Sequence, residues 1–248
     1  LRTVTGVKTC DLPLCDFWEE IRPYPTTYDP SKLATGKGGD GNIQHCTITT
    51  IDESQLEAGV LWAGTDDGNV WVTRDTGKNW TKLNERIPGN PAYWVSRVAA
   101  SAVNPGVAYV SYTGFRNDDF RPFVYKTTDY GQTWMSITGN LPAEPVNVIR
   151  EDPKNSNLLF VGTDFAAYVS VDGGLTWNRI KANMPTQPVH DLQIHPREND
   201  LIVATHGRGI FISDISPLRE LTSPVLANDV LLLAIESKVR WDNNRNSH

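Results

Sequence analysis

Apolar and polar positions alternate along this chain in short stretches, and the stretches recur. Runs at 96–101, 146–149 and 189–194 alternate with the period of two expected of half-buried strands. The Asn-Pro, Asp-Pro and His-Pro steps at Asn104, Asp152 and His195 predict the turns that follow them. More continuously apolar runs at 60–65, 159–163 and 201–205 read as second strands, and each precedes an acid by about ten residues. The acids sit in a repeated phrase: Thr73-Arg-Asp75-Thr-Gly77-Lys-Asn-Trp80, then Thr127-Thr-Asp129-Tyr-Gly131-Gln-Thr133-Trp134, then Ser170-Val-Asp172-Gly-Gly174-Leu-Thr176-Trp177. A weaker copy, Ile210-Phe-Ile-Ser213-Asp214, keeps only the strand and the acid. Successive acids are 54, 43 and 42 residues apart, the period of four-stranded antiparallel propeller blades.

The phrase has a mechanical reading. Its hydroxyl and carboxylate accept hydrogen bonds from backbone N–H groups and so staple the hairpin between a third and a fourth strand. Gly77, Gly131 and Gly174 take the positive φ that such a turn needs. Trp80, Trp134 and Trp177 then open the fourth strand and pack between neighbouring sheets. Phe17-Trp18-Glu-Glu-Ile21 matches the fourth-strand phrases Trp80-Thr-Lys-Leu83, Trp134-Met-Ser-Ile137 and Trp177-Asn-Arg-Ile180, so the chain is expected to start inside a blade.

The fold class is therefore all-β: a β-propeller of four-stranded antiparallel blades, present as an incomplete ring or as a segment of a larger one. Residues 1–44 form the end of a preceding blade plus a connector rich in Pro, Gly, Thr and Lys; residues 45–218 form the blades. Residues 219–248 form a C-terminal strand and tail, with one or two strands expected between Val225 and Trp241.

Charge narrows the partners. A net charge of -6 gives no positive field for phosphate backbones or anionic membranes, so nucleic acid is not an expected partner. The longest apolar run, at 230–235, is strand-sized and far short of a membrane span, so direct membrane insertion is not expected either. Cys10, Cys15 and Cys46 suit one disulfide plus a free thiol, and their spacing is not that of a zinc site. No secretory signal stands at the N-terminus, and its removal from a longer precursor is the expectation.

These phrases resemble the large extracellular proteins with Asp-box (BNR-type) repeats, the sortilin-like and glycosyl-hydrolase-like propellers. The resemblance runs from about Gly38 to Trp241 and is carried by Gly59-Val-Leu-Trp-Ala-Gly-Thr-Asp-Asp-Gly68 and Tyr125-Lys-Thr-Thr-Asp-Tyr-Gly-Gln-Thr-Trp134. Arg150-Glu-Asp-Pro153 and Ala204-Thr-His-Gly-Arg-Gly209, followed by Asp214 and Pro217-Leu218, extend it. It implies a ring of seven or more blades, secreted or envelope-associated. It does not imply one chemistry, because Asp boxes occur in sialidases, in xyloglucan-degrading enzymes with paired propellers and in peptide-binding sortilin-type receptors.

Candidate chemistry is sparse. Asp118 and Asp119, in the long Thr113-Gly-Phe-Arg-Asn-Asp-Asp-Phe-Arg-Pro122 stretch, are the weak candidates for catalytic acids, against pairing with Arg116 or Arg121 as loop charges. The same acids offer oxygen ligands to calcium, and no other cofactor is called for. Asp66 and Asp67 lie in a hairpin signal and read as turn formers, while Asp75, Asp129 and Asp172 are explained by their staples. Arg116, His206 and Arg208 are the binding candidates; the last two sit in a turn with Gly207 and Gly209, which let a backbone come close, and Arg208 can grip a carboxylate bidentately, against a role for both in bonding an adjacent blade and holding the ring closed. Arg97, Arg150 and Arg208 match a sialidase triad only loosely, and Arg86-Ile87-Pro88 reads as a loop.

The first functional reading is a secreted or envelope-associated propeller segment acting as a binding or structural scaffold for protein or polysaccharide. A polysaccharide-degrading glycoside hydrolase is the alternative, with Trp94, Tyr112 and Phe115 lining a sugar cleft. A subunit of a larger envelope assembly, whose ring other chains complete, is a third.

Overall fold

The computed structural model describes residues 47–181 and 183–221. The readings placed on Trp18, the connector, the cysteines and Val225 to Trp241 lie outside those residues. Blade I comprises β1 (Ile48–Glu53), β2 (Leu61–Thr65), β3 (Val70–Thr73) and β4 (Thr81–Lys82), hydrogen-bonded in that order. Blade II repeats the meander with β5 (Trp94–Ala100), β6 (Ala108–Gly114), β7 (Asp119–Thr127) and β8 (Met135–Ser136). Blade III does so with β9 (Val146–Asp152), β10 (Asn155–Thr163), β11 (Ala167–Ser170) and β12 (Asn178–Arg179). Blade IV has three strands among the described residues, β13 (Val189–Ile194), β14 (Asp200–Thr205) and β15 (Ile210–Asp214), followed by a single helical turn, α1 (Ser216–Arg219). The chain is thus a piece of a β-propeller, and the weak fourth copy of the phrase ends in α1 where the other three turn into a hairpin.

Strand register makes the blades superimposable in sequence. Thr50, Arg97, Val148 and Asp191 of the first strands pair with Gly64, Ser111, Gly162 and Ala204 of the second strands. Small residues are found at all four second-strand positions, and at Gly64 and Gly162 the next blade packs against them. A Cβ on Gly162 would stand 2.6 Å from Val189 Cγ1.

The three complete turns are built alike. Thr73 Oγ1 donates to Asp75 Oδ1 (2.8 Å) and accepts from Gly77 N–H (3.0 Å), while Asp75 Oδ1 accepts from Asn79 N–H (2.9 Å). Thr127, Asp129, Gly131 and Thr133 repeat these bonds at 2.8, 2.9 and 2.8 Å, and Ser170, Asp172, Gly174 and Thr176 at 2.7, 2.8 and 2.9 Å. Positive φ is needed at two successive residues, Thr76 and Gly77, Tyr130 and Gly131, Gly173 and Gly174, rather than at the glycine alone.

Three apolar cores hold the blades face to face, one each between I and II, II and III, and III and IV. Trp134 leaves blade II to meet Trp62 of blade I edge-on, at 6.1 Å between rings. Trp177 of blade III reaches blade II and donates its Nε1–H to Ile137 O at 2.9 Å. Each such aromatic contributes about 1.5–3 kcal/mol through area removed from water. Arg86 extends a similar link from blade I to Gly131 O of blade II at 3.4 Å, beside Ile87 in the core.

The meander separates two ends of the structure. First-to-second and third-to-fourth turns fall at one end, so the stapled turns lie there. Second-to-third hairpins and the links between blades fall at the other.

Candidate functional site

At that second end, the starts of the first strands and the ends of the second strands from blades II, III and IV enclose a groove of about 720 Å³. Trp94, Ser96 and Arg97 come from the start of β5, Asn147 from β9, and Pro188 and His190 from the start of blade IV. Thr113, Asp164 and His206 close it from the second-strand side, and Phe115 and Arg116 from the long hairpin of blade II. Ser96, Asn147 and His190 occupy equivalent positions, one residue before the aligned Arg97, Val148 and Asp191. Asp164 and His206 are equivalent too, each donating its N–H to the carbonyl just before the first strand, Pro145 O at 3.2 Å and Pro188 O at 3.0 Å.

The lining divides into an aromatic part and a polar part. The Arg116 guanidinium lies 4.2 Å over the Trp94 ring, a cation–π contact worth about 0.5–1 kcal/mol at an exposed site. Phe115 is exposed beside it and meets Phe120 edge-on at 6.1 Å. Across the groove Asn147 Nδ2 donates to Asp164 Oδ1 at 2.8 Å, which orients the carboxylate. The His190 and His206 rings lie 5.3 Å apart. Ser96 Oγ donates to Val146 O at 2.7 Å and ties the blade II wall to blade III.

Below the polar part a charge cluster braces the inner strands. Arg97 Nη2 donates to Asp191 Oδ1 at 2.8 Å, joining equivalent positions of blades II and IV. Arg150 lies 3.7 Å from the same carboxylate and donates Nε–H to Leu192 O at 2.9 Å. Burial, and then the neighbouring Arg97, push the Arg150 pKa down, while burial pushes that of Asp52, beside both arginines, up. Asp191 is engaged by this brace, so Asp164 is the carboxylate presented to the groove among the described residues.

The residues singled out in the sequence divide accordingly. Trp94, Phe115, Arg116 and His206 come together in the groove. Tyr112, expected beside them, is instead wholly buried in the core between blades I and II, edge-on to Tyr125, because the strand alternation at that point turns it inward. Asp118 and Asp119 lie outside the groove. Asp118 caps a 3-10 turn (Phe115–Asn117) in the left-handed region, with φ 56°. Asp119 is gripped by Arg121 (2.6 Å) and by the Tyr93 hydroxyl (2.9 Å), and the hydrogen bonds from Arg121 hold its carboxyl well below the usual range. Arg208 is exposed in the hairpin after β14, and a Cβ at Gly207 or Gly209 would meet nothing within 4 Å, so these glycines serve the turn and not a close approach among the described residues. Asp66 accepts from the Thr47 N–H at 2.9 Å, which ties its turn to the segment before β1, whereas Asp67 accepts from the Thr65 hydroxyl within the turn.

Sequence reasoning passed over Ser96, Asn147, Asp164 and His190. The signal for Asp164 was present, since Gly162-Thr163-Asp164 repeats Gly64-Thr65-Asp66 two blades later. Among the described residues no group of three or more His, Cys, Asp and Glu side chains is placed to hold a metal ion, and no helix is long and apolar enough to cross a membrane.

Comparison with known proteins agrees with this architecture. Residues 123–217 match the family described as Sortilin, neurotensin receptor 3 (Sortilin-Vps10). Over 107 residues the chain is 30% identical to an oligoxyloglucan-reducing end-specific xyloglucanase of Emericella nidulans, a stretch that is 43% of this chain and 13% of the fungal protein. The structure resembles a GH74 enzyme of Niastella koreensis with a TM-score of 0.54 at 20% identity, covering 67% of this chain and 28% of that one. A GH74 xyloglucanase from Xanthomonas campestris gives a TM-score of 0.53 at 20% identity, with the same coverage of both chains. At 20% identity these two likenesses are likenesses of fold. The chain spans about a quarter of the length of those solved relatives and less of the curated one.

Proposed function

We propose that this sortilin-like, glycosyl-hydrolase-like propeller segment belongs to a secreted or envelope-associated protein and binds a polysaccharide chain in the groove of blades II to IV. The observation that carries this reading is the pairing, in one groove, of the Trp94 and Phe115 rings with the hydrogen-bonded Asn147 and Asp164. Sugar rings present apolar C–H faces and rows of hydroxyls. Flat aromatic side chains take the former, and an oriented amide and carboxylate take the latter. The likeness to a xyloglucanase makes a β-glucan with xylosyl branches the first ligand to try.

Binding is favoured over cleavage by the acids. Hydrolysis by the usual route needs two carboxyl groups facing one glycosidic bond. Asp164 faces the groove, whereas Asp191 is held by Arg97 and Asp119 by Arg121. The test is isothermal titration of the full chain with xyloglucan oligosaccharides, wild type against Trp94→Ala and Asp118→Asn/Asp119→Asn. Loss of about tenfold in affinity for Trp94→Ala, close to 1.4 kcal/mol, with no change for the loop double variant, is the expected pattern. Equal binding by Trp94→Ala would remove the groove from the proposal. Release of reducing ends that Asp164→Asn abolishes would replace binding with hydrolysis.

A further inference from the structure

The cores between blades follow one rule until the last. Between blades I and II, Trp134 and Tyr125 of the later blade cover Leu83 and Ile87 of the earlier one. Between II and III, Trp177 and Tyr168 cover Ile137 and Leu141. The corresponding residues between III and IV are Phe211 over Ile180 and Met184, since Phe211 pairs with Val203 as Tyr168 does with Val161. No described residue takes the tryptophan's place there. Instead the walls enclose an apolar pocket of about 350 Å³, bounded by Val169, Ile180 and Met184 on one side and by Phe211, Ile215 and Leu218 on the other.

Three features bear on what fills it. β15 is the outer strand of its sheet among the described residues, and its counterparts β7 and β11 each pair with a short fourth strand. The α1 turn lies against the pocket. Leu218 lines it, and Arg219 is clamped to the fully buried Asp152 by two bonds of 2.9 and 2.7 Å. Beyond Leu221 the sequence has 27 further residues, including the uncharged run Val-Leu-Leu-Leu-Ala-Ile at 230–235. The nine residues from Leu221 reach about 30 Å when extended, more than the length of a five-residue strand at about 17 Å.

We propose that the pocket is the seat of the fourth strand of blade IV, and that residues 230–235 of this same chain supply it by pairing along β15. Leu232 and Ile235 repeat the three-residue interval of Trp134 and Ile137, and of Trp177 and Ile180, so Leu232 takes the place of the tryptophan. The final blade is then completed by a strand that arrives through α1 and lacks the stapled turn. The Arg219–Asp152 clamp sets its point of entry.

Hydrogen–deuterium exchange on the full chain tests this directly. Peptides covering 210–214 and 228–237 are expected to be protected together at every protein concentration. The double variant Leu232→Asp/Leu233→Asp is expected to speed exchange in both by at least about tenfold while leaving 146–163 unchanged. Exchange of 228–237 at the rate of free chain overturns the proposal, and that measurement on the wild type stands even if the variant does not fold. Protection of 210–214 that rises with protein concentration overturns it in favour of a second copy on the same edge.

Discussion

Replacing Gly162 by Ala isolates what holds neighbouring blades at their spacing. Gly162 lies in β10 outside the left-handed region, so alanine is conformationally free to enter, and removing a strand glycine alone favours the fold by about 0.5–1 kcal/mol. The new methyl would stand 2.6 Å from Val189 Cγ1, 2.7 Å from Val148 Cγ1 and 3.0 Å from Val189 Cβ. Both valines are fully buried, and Val189 opens the first strand of blade IV, so relief requires moving one blade against another. Overpacking of this kind costs about 1–3 kcal/mol, which outweighs the glycine term and leaves a net loss of about 1–2 kcal/mol. Urea unfolding followed by tryptophan fluorescence should show a lower midpoint with an unchanged slope. Val189→Ala removes the closest of these contacts and leaves Val148 Cγ1 at 2.7 Å. In that background Gly162→Ala should cost less than in the wild type, giving a coupling of about 1 kcal/mol between the two sites. Wild-type stability for Gly162→Ala, or the same loss in both backgrounds, would refute the claim that glycine is there for the approach of the next blade.

Two further outcomes follow from the hydrogen bonds. Arg219→Ala leaves the Asp152 carboxylate, which has no exposed surface, without its guanidinium and should destabilise the chain by about 3–5 kcal/mol in the same unfolding assay, whereas Asp152→Asn/Arg219→Met should recover much of the loss. The Asp75 carboxyl is lowered to about 2, first by the Asn79 side chain and then by the Asn79 N–H and the Thr73 hydroxyl. Because this pKa is depressed, the staple's contribution is complete above the unfolded value near 4 and is lost as pH falls toward 2. Carboxyl NMR titration should place the midpoint there, and Asn79→Ala should move it upward; an unmoved midpoint would mean that the side-chain bond is not its cause.

The stapled turns were legible in the sequence because they are local. Thr73, Asp75, Gly77 and Asn79 exchange their bonds within seven residues, so the spacing of types along the chain already contains the geometry. Strand alternation was legible for the same reason, since a period of two requires no knowledge of the partner sheet. Even there the limit shows in Tyr112. Its place in the alternation was readable, but whether its face meets a groove or a core depends on blade I, which supplies the Trp62 and Leu83 that bury it.

What the sequence determined by itself, then, is the blade: its strands, its stapled turn and its repeat, each set by contacts a few residues apart. The groove, the Arg97–Asp191 brace across 94 residues and the pocket beside β15 were decided only by the tertiary structure. They arise where equivalent positions of successive blades are brought side by side, and the side chains at those positions differ from blade to blade: Ser96, Asn147 and His190, or Asp164 and His206. The repeat determines that such positions meet, while their chemistry depends on which unlike residues are brought into contact, and no local spacing encodes that.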